Sequence, residues 1–381
     1  MSLLPIPRTP VLRFIDMVRS SQSECANIFD HDELYYCPSG RIAIFNVLKQ
    51  MNIAHDDEVL MPSYHCLSML EPLQWIDVKA KFFSLDSNLN AILPSLDQQR
   101  TEKTKAMLMV HYFGFPSNIE EVREWCQSYK IALIEDCSHA LIGKGGERNI
   151  GTFGDFVVAS PRKFFPTYDG GLFYSNESDM NDVSQSSLGI RYNIKSIIND
   201  IETSVSYGRL ALFSPFFSKR RKPNVSDSVA PRAQEGNIVR KKYQDPRFSQ
   251  SSSNGSVSWF SRILFRNGVS KRSYETRRDY YQYYVNAFAE NKLVKSLYKD
   301  LPDGVMPYVF PLVILENEDA YHKLLKKNNV PMFRWDELGD SECEVSKYYQ
   351  YKLIQLPCHE GLSKGEIELI ANEVNTLIAP A

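Results

Sequence analysis

The chain has 381 residues, a formal net charge of −2 and 43% hydrophobic residues, which suits a soluble globular protein of about two domains. The near-neutral charge gives no electrostatic reason to expect nucleic acid as a partner, and no apolar run approaches the ~20 residues that a membrane span needs. Seven cysteines lie scattered without metal-ligand spacing, and the N-terminus lacks a signal-peptide core. The sequence therefore predicts a cytoplasmic protein with reduced thiols and no metal site.

The first 30 residues contain three prolines and one short amphipathic run, so we predict an N-terminal arm that packs on the main domain or on a partner subunit. After the arm, Ser39, Gly40 and Arg41 open a helix with apolar residues at helical spacing. A helix N-terminus offers free backbone N–H groups and the positive end of its dipole to a phosphate. An isolated Ser-Gly pair is most often an ordinary N-cap, so the pattern leaves both interpretations open.

Several short apolar runs are typical of buried parallel strands. They are Glu58–Met61, Val78–Leu85, Lys105–Val110, Ile131–Ile134 and Phe156–Ala159, and Leu172–Ser175 forms one more strand. Helical patterns such as 119–129 lie between them, and this alternation implies right-handed βαβ crossovers. We therefore predict the α/β class, with a three-layer α/β/α large domain around a mostly parallel sheet.

Two of these strands end in groups that can carry chemistry. Ile131–Ile134 leads into Glu135 and Asp136, and Phe156–Ala159 delivers Ser160 and Lys163. Ligand sites of open α/β sheets lie outside the carboxyl ends of the strands, so we expect Asp136 and Lys163 to lie close together. The two side chains could form an ion pair, which is the commoner arrangement, or they could hold a pyridoxal cofactor between them.

Residues 214–258 change in character, with a basic run at 219–222 and a serine-rich run at 249–253. Such a segment buries little apolar surface, so we predict an exposed, polar connection. It would join a large domain of residues 31–213 to a small C-terminal α+β domain of residues 259–381. In the small domain we predict helices over 274–288 and 320–328, and strands over 308–314 and 330–334.

One series of residues resembles, in its order and spacing, the DegT/DnrJ/StrS-type pyridoxal-phosphate-dependent sugar aminotransferases, which have the type I fold of aspartate aminotransferase. The series is Glu135-Asp136, Cys137-Ser138-His139, Gly151-Thr152-Phe153-Gly154-Asp155, Ser160, Lys163 and Gly170-Gly171. The whole series is specific, whereas the lysine alone would not be. The resemblance extends over about residues 35–377 and is weakest in the connection at 214–258.

The resemblance implies roles for residues that would bind pyridoxal phosphate. Lys163 would hold the cofactor covalently and move a proton as a base, and Asp136 would keep the ring nitrogen protonated. The implied cofactor-binding residues are Lys163, Asp136, His139, Ser39, Gly40, Arg41, Ser160, and Tyr64 or His65. Tyr64 or His65 would stack on the ring, although a strict alignment places Cys66 there. His139 would face the ring or its hydroxyl, and a turn-stabilising histidine is the alternative.

The resemblance also implies a reaction and its partners. It implies a homodimer with active sites at the interface, and transfer of an amino group, usually from glutamate, to a keto-sugar carried on a nucleotide. Such a reaction would serve the biosynthesis of surface polysaccharides or glycoconjugates. The residues do not identify the sugar, the nucleotide or the position that is aminated.

Two other functions stay open. The first is a dehydratase that uses the same cofactor, against which Lys163 argues, because known dehydrating relatives replace this lysine, usually with histidine. The second is a non-catalytic member that binds a ligand without turnover. A related ambiguity concerns Gly189–Asn193, which resembles a family segment that reaches the neighbouring subunit. Arg191 and Asn193 stand in swapped order there, and a solvated loop is an equally good interpretation.

Overall fold

The computed structural model describes residues 5–17, 21–177, 180, 183, 185–217, 252–316, 324, 330–335, 337–339 and 341–378. The strands are β1 (Tyr35–Cys37), β2 (Glu58–Pro62), β3 (Lys79–Phe83), β4 (Thr104–Val110), β5 (Ala132–Asp136), β6 (Lys144–Gly145), β7 (Arg148–Asn149), β8 (Phe156–Ala159), β9 (Gly171–Ser175), β10 (Val294–Ser296), β11 (Val309–Ile314) and β12 (Leu353–Pro357). The α-helices are α1 (Gly40–Gln50), α2 (Glu71–Trp75), α3 (Leu93–Gln99), α4 (Ile119–Tyr129), α5 (Ile190–Ser206), α6 (Ser214–Phe217), α7 (Trp259–Phe265), α8 (Lys271–Ala287), α9 (Glu344–Lys352) and α10 (Lys364–Leu377).

A seven-stranded sheet forms the centre of the large domain, in the order β1-β9-β8-β5-β4-β2-β3. The strands from β8 to β3 run parallel. At one edge β9 pairs antiparallel with β8, and β1 pairs antiparallel with β9, so that β1 runs in the same direction as the parallel strands. Strands β2 and β4 are almost wholly buried, which is why they consist of continuous apolar runs. The predicted fold class, α/β with a mostly parallel sheet, is confirmed.

The small domain is built on an antiparallel sheet in the order β10-β11-β12. Helix α8 packs on β11 and against α10, which begins at Ser363 with a capping box closed by Glu366. The predicted strand at 330–334 is reduced to a single bridge between Phe333 and Gln355. The predicted helix at 320–328 lies outside the described residues, except for residue 324, and so does most of the polar connection, at 218–251.

The segment 5–17 lies across both domains. The Ser204 hydroxyl of α5 donates to the Leu12 carbonyl, and His359 contacts the Pro7 carbonyl at 3.1 Å. Arg8 lies over the ring of Phe333. The arm thus packs on the chain itself over these residues. In the part of the chain that the structure describes, no helix has the length and apolar character needed to cross a bilayer.

The structure differs from one sequence interpretation at residues 189–193. A solvated loop was one of the two interpretations, whereas Gly189 is the N-cap of the 17-residue helix α5. Gly189 has φ +87°, a conformation that favours glycine, and the helix follows directly from it. Arg191 and Asn193 therefore lie in the first turn of a helix, two residues apart and on different faces.

Candidate active site

A cavity of about 70 Å³ opens at the carboxyl ends of β4, β5 and β8. This is the edge at which parallel α/β sheets place their ligands. Its lining brings together most of the residues predicted for the site: Ser39, Gly40, Arg41, Asp136, His139, Ser160 and Lys163. The lining also contains Ile44, Cys66, Ser68, Met69, Val110, Ser138, Arg162 and Trp335.

Lys163 ends a short 3₁₀ helix, Pro161–Lys163, that follows β8 directly. Its backbone N–H donates to the Ser160 carbonyl at 3.0 Å, which closes this turn. Burial lowers the pKa of the Lys163 ammonium, and the charge of Arg162 acts in the same direction, while Cys66 and Asp136 oppose it. A larger fraction of this amine is therefore neutral near pH 7 than for an exposed lysine. A neutral amine is the form that acts as a nucleophile or base.

Asp136 is the last residue of β5, and its backbone pairs with Val110 of β4 and Val158 of β8. Because both neighbouring strands hold it, the carboxylate has a fixed place at the rim of the sheet. One oxygen, Oδ1, accepts a hydrogen bond from the Ser138 backbone N–H at 2.8 Å. The side chain is almost wholly buried and still lines the cavity. It offers a positioned negative charge to a cationic group of a ligand.

The opposite wall is a cradle of small hydroxyl-bearing residues at the start of α1. Ser39 is the N-cap, and its Oγ accepts from the Ile42 backbone N–H at 3.4 Å. A Cβ atom added to Gly40 would lie 3.3 Å from the Ser160 Cβ and 3.6 Å from the Ser138 Oγ. The contact with the Ser160 Cβ would be tight, so glycine lets these hydroxyls lie close to the helix N-terminus without displacing Ser160. The cradle of Ser39, Gly40, Ser138 and Ser160 suits an anion such as a phosphate.

His139 lies in a stack of aromatic rings. Its ring centroid is 4.7 Å from Tyr308 and 5.8 Å from Phe113, both nearly parallel to it, and 5.6 Å from Trp335. Burial, together with the charge of Lys163, holds the pKa of His139 well below its usual range, so the imidazole is neutral. Within the described part of the chain, its buried Nδ1 has no hydrogen-bond partner. A buried polar atom without a partner, on a residue that lines a cavity, is suited to a hydrogen bond with a ligand.

The structure brings neither Tyr64 nor His65 to the cavity wall. The Tyr64 ring packs 4.8 Å from Trp335 and 5.9 Å from Tyr112, inside the core. His65 Nδ1 contacts the Pro62 carbonyl at 2.9 Å, and its Nε2 accepts from the Gly339 N–H at 2.9 Å. Both ring nitrogens are therefore used, and burial lowers the pKa of His65 to about 4.

Cys66 is the residue of this loop that reaches the cavity. It caps the 3₁₀ helix Leu67–Met69, and its Sγ lies 3.0 Å from the Ser68 Oγ. The strict alignment of the motif with the resembling family points to this cysteine, although a cysteine offers no aromatic surface to a ring. The cavity is thus lined at this point by a cysteine, which is smaller than the tyrosine or histidine that the sequence favoured and has no aromatic ring.

Arg41 lines the cavity, but its guanidinium also forms a largely buried ion pair with Glu71 of α2, at 2.6 Å. The resemblance implies that Arg41 binds the cofactor, and the ion pair shows where its Nη1 is held. Trp335 is a residue of the cavity wall that the sequence did not indicate. It comes from the small domain, and no local motif surrounds it, so only the tertiary structure could place it there.

Glu135, the neighbour of Asp136, forms a separate buried network on the other side of β5. Together with His111 and Cys137 it makes a group whose ligand atoms lie within 4.8 Å of one another, close enough for a metal ion. His111 Nδ1 already accepts from the Ser117 N–H, so Nε2 carries the proton and donates to Glu135 at 2.9 Å. Burial raises the pKa of the Cys137 thiol well above its usual range. A protonated thiol and an occupied imidazole favour a structural network over a metal centre.

The chain has the α/β fold of solved structures that are described as aminotransferases. Residues 23–193 match the DegT/DnrJ/EryC1/StrS aminotransferase family, which confirms the resemblance drawn from the motifs. The whole structure superimposes on a Streptococcus pneumoniae protein described as a sugar aminotransferase and solved in its PLP form. The TM-score is 0.63, with 16% identity and 98% of each chain covered, so this likeness shows the fold.

Two curated relatives indicate the range of reactions in this family. A dTDP-4-dehydro-2,3,6-trideoxy-D-glucose 4-aminotransferase of Saccharopolyspora spinosa is 27% identical over 154 residues, 40% of each chain. A GDP-4-keto-6-deoxy-D-mannose 3-dehydratase of Escherichia coli O55:H7 is 27% identical over 144 residues, 36% of this chain and 37% of the relative. The alignments thus span about two fifths of the length of these relatives.

The residues around the cavity fit pyridoxal phosphate. The hydroxyl cradle at the N-terminus of α1 suits its phosphate, and Gly40 keeps that cradle open. Asp136 offers a carboxylate and Lys163 an amine whose pKa is lowered. The unpartnered Nδ1 of His139 completes a set of groups that a polar, aromatic ligand would satisfy.

Proposed function

We propose that this protein is a pyridoxal-phosphate-dependent aminotransferase that moves an amino group from glutamate to a keto-sugar linked to a nucleotide. The observation that carries the proposal is the shared cavity of Lys163, Asp136 and the hydroxyl cradle. The family match at residues 23–193 and the nucleotide-sugar substrate in the name of the S. spinosa relative support it. The reaction would serve the synthesis of a surface polysaccharide or another glycoconjugate.

Bound pyridoxal phosphate supplies an electron-withdrawing ring that stabilises negative charge at the substrate carbon. Asp136, as a buried carboxylate, would bind the ring nitrogen and keep a proton there. Lys163 would hold the cofactor covalently, and its amine, when free and neutral, would act as the base that moves a proton at the substrate carbon. Both roles need the lowered pKa that burial gives this lysine.

The other residues of the wall bind and orient. Ser39, Ser138 and Ser160 donate hydroxyl hydrogen bonds to the phosphate, and the backbone N–H groups of the first turn of α1 add theirs. His139 forms a hydrogen bond through Nδ1 to a polar group of the ring. Trp335 and the rings stacked on His139 exclude water from this side, which strengthens every electrostatic contact inside the cavity.

The first experiment tests the cofactor and its anchor. Pyridoxal phosphate is added to the purified protein, the visible spectrum is recorded, and the adduct is reduced with borohydride and mapped by mass spectrometry. We expect a new visible band and a label on Lys163. Lys163→Ala should lose both, whereas Lys144→Ala, at an exposed lysine of β6, should keep both. A label spread over surface lysines in the wild-type protein would contradict the proposal.

The second experiment tests the reaction. The protein is incubated with glutamate and a panel of nucleotide-linked keto-sugars, and 2-oxoglutarate and the amino-sugar are measured. We expect both products in equal amounts, and neither with Lys163→Ala. Normal turnover by that variant would refute the role of the lysine.

Dehydration of the sugar is the second candidate, because a 3-dehydratase is as similar to this chain as the aminotransferase relative is. The two reactions differ in what they release. Elimination of water would give a deoxy-sugar that carries no nitrogen from the donor, and ¹⁵N-glutamate distinguishes the two outcomes. We further infer that the protein works as a homodimer, and the exposed apolar side chains of α5 and α7 support this assembly.

A further inference from the structure

Arg277 of α8 is wholly buried, although it does not line the cavity. An arginine is rarely buried to this extent unless its charge is paired. Its Nε lies 2.9 Å from the Glu360 Oε2 and donates to the Ser273 Oγ at 3.3 Å. Burial by itself would raise the pKa of Glu360, but nearby charges, Arg277 first among them, outweigh it and hold that pKa below the usual 4.5. The two side chains therefore form an ionised pair inside the protein.

The same guanidinium holds two backbone segments. Its Nη2 donates to the Phe164 carbonyl at 3.5 Å, and its Nη1 donates to the Pro307 and Tyr308 carbonyls at 3.4 Å and 3.2 Å. It also packs on the Phe164 ring, with 4.9 Å between the guanidinium carbon and the ring centroid. One side chain of the small domain thus contacts both the segment that enters β11 and the segment that follows Lys163.

Both segments are next to groups of the cavity. Phe164 directly follows Lys163, and its ring centroid lies 5.4 Å from that of Tyr308. The Tyr308 ring in turn lies nearly parallel to the His139 ring, with 4.7 Å between their centroids. The Lys163 Nζ is 5.9 Å from the centroid of the Tyr308 ring. A shift of either segment would therefore change where the lysine amine lies against these rings.

We propose that Arg277 is a positioning residue for Lys163. Its guanidinium joins the segment after the lysine to Tyr308, so that the amine stays against the aromatic rings and away from water. Desolvation is the main cause of the lowered pKa of Lys163, so water that entered beside the amine would restore its charged form. The inference rests on the proposed function, in which Lys163 anchors the cofactor.

These contacts need the shape of an arginine. The guanidinium is planar and carries five N–H donors in a fixed arrangement, so it reaches Glu360 and the carbonyls of two segments at once. A lysine ammonium is a single point of charge and cannot occupy all of these positions together. Arg277→Lys therefore keeps a positive charge near Glu360 but loses part of the bonding to the backbone.

Arg278, the next residue of α8, supplies the control. Its Nη1 donates to the Pro302 and Val305 carbonyls at 2.6 Å and 2.7 Å. It thus bonds to backbone carbonyls as Arg277 does, but to those of residues 301–305, which are all described and do not line the cavity. Arg278→Lys should weaken these contacts and leave the lysine of the site unaffected.

The first test follows the Lys163 amine in the cofactor-free protein. The chain is treated with a limiting amount of acetic anhydride over a range of pH, and acetylation of Lys163 is measured by mass spectrometry relative to the exposed Lys144. The pH of half-maximal reactivity reports the titration of the amine, whatever its accessibility. We expect this midpoint to be higher in Arg277→Lys than in the wild type, and unchanged in Arg278→Lys.

The other groups that act on the amine are the same in every variant, namely Cys66, Asp136 and Arg162. A change in the midpoint therefore reports the surroundings of the lysine and not the loss of a neighbouring charge. An equal midpoint in Arg277→Lys and in the wild type would overturn the proposal.

The second test is the binding of pyridoxal phosphate, followed by absorbance. Because the lysine would no longer be held in place, we expect Arg277→Lys to raise the dissociation constant about 10-fold. Arg278→Lys should stay within about 2-fold of the wild type, since its contacts lie away from the cavity. Equal affinities of the two lysine variants would overturn the proposal as well.

Two more variants separate positioning from stability. Arg277→Met leaves Glu360 buried without its counter-charge, so it should lower the melting temperature of the cofactor-free protein. The double variant Arg277→Met/Glu360→Gln removes both charges and should recover most of that loss. It still lacks the bonds to Phe164 and Tyr308, so its Lys163 midpoint should remain high and its cofactor affinity about 10-fold weaker. Recovery of the midpoint and the affinity along with the stability would show that the arginine acts only on the fold, and would overturn the proposal.

Failure of the proposed function would look different from failure of this inference. If the wild-type chain binds no pyridoxal phosphate, the proposed function falls, and the titration of Lys163 in the cofactor-free variants still decides whether Arg277 positions the lysine.

Discussion

Replacing Glu135 with glutamine tests whether this carboxylate is a structural acceptor. Glu135 is wholly buried at the end of β5. Its Oε1 accepts from His111 Nε2 at 2.9 Å and from the Gly151 N–H at 2.6 Å. Its Oε2 accepts from the Phe153 and Gly154 N–H groups, both at 2.9 Å. The Cys137 thiol, with its Sγ 3.9 Å from Oε1, is a fifth and weaker donor, so five donors converge on two oxygens.

Glutamine keeps the shape of the side chain but has only one carbonyl oxygen. Whichever way its amide turns, the NH₂ group faces at least two of these donors and leaves them without an acceptor. Because Ser117 donates to His111 Nδ1, the imidazole cannot become the acceptor by changing its tautomer. An unsatisfied buried donor costs ~1–3 kcal/mol, so Glu135→Gln should lose about 2–6 kcal/mol of the free energy of unfolding.

The loss is measured by urea unfolding at pH 7.5, followed by far-UV circular dichroism. Glu344→Gln is the control, because Glu344 is exposed and pairs with the exposed Lys347. Its effect should stay below about 1 kcal/mol. A Glu135→Gln loss no larger than that of the control would refute the reasoning.

The contribution of Glu135 to the free energy of unfolding should decrease in acid. Burial by itself would raise the pKa of Glu135, but His111 and the backbone N–H groups outweigh it and hold the pKa below the usual 4.5. The stabilisation is therefore full above about pH 4.5 and is lost as the pH falls through the lower folded-state pKa. The difference in the free energy of unfolding between the wild type and Glu135→Gln should therefore become smaller as the pH falls below about 4.5.

Three further changes bear on the cavity. Lys163→Met should raise the stability of the cofactor-free protein near neutral pH, because the folded state disfavours the charged amine of the wild type. In thermal melts this increase in stability should disappear above about pH 10.5, where the lysine is neutral in the unfolded state as well. His139→Phe should change the free energy of unfolding of the cofactor-free protein by no more than ~1 kcal/mol, because it replaces an Nδ1 that has no partner and its ring still stacks on Tyr308. The dissociation constant of pyridoxal phosphate, measured by absorbance, should rise several-fold. Gly171→Ala should lower the free energy of unfolding by ~2 kcal/mol or more and should also weaken cofactor binding, because its Cβ would collide with the Ser39 carbonyl oxygen. Gly365→Ala is the control, since Gly365 has open space around it, and it should be tolerated in the same assays.

The sequence was a good guide wherever the strand pattern determines position. Continuous apolar runs predicted the parallel strands, and the rule that ligands bind at their carboxyl ends predicted that Asp136 and Lys163 share one site. Both side chains line the cavity. Ser39 and Gly40 could be predicted from local sequence as well, because an N-cap residue before a helical pattern has a recognisable signature.

The sequence did not predict which side chains reach the cavity where this depends on the path of a loop or on contacts between distant parts of the chain. In the loop after β2, Cys66 reaches the cavity, while Tyr64 and His65 are held in the core by rings and by the Gly339 N–H. A one-residue difference in an irregular loop changes which side chain faces the ligand. Trp335 arrives from the small domain, almost 200 residues after Asp136, and no local pattern reports such a contact.

The pair Glu135-Asp136 shows how one short motif divides two tasks. Successive residues of a strand point to opposite faces, so Glu135 turns to the glycine corner of residues 151–154 and Asp136 to the cavity. The donors on Glu135 fix the end of β5 without using the charge of Asp136. A carboxylate that must act on a ligand needs a backbone that does not move. Its neighbour supplies that rigidity through contacts that any bound ligand leaves unchanged.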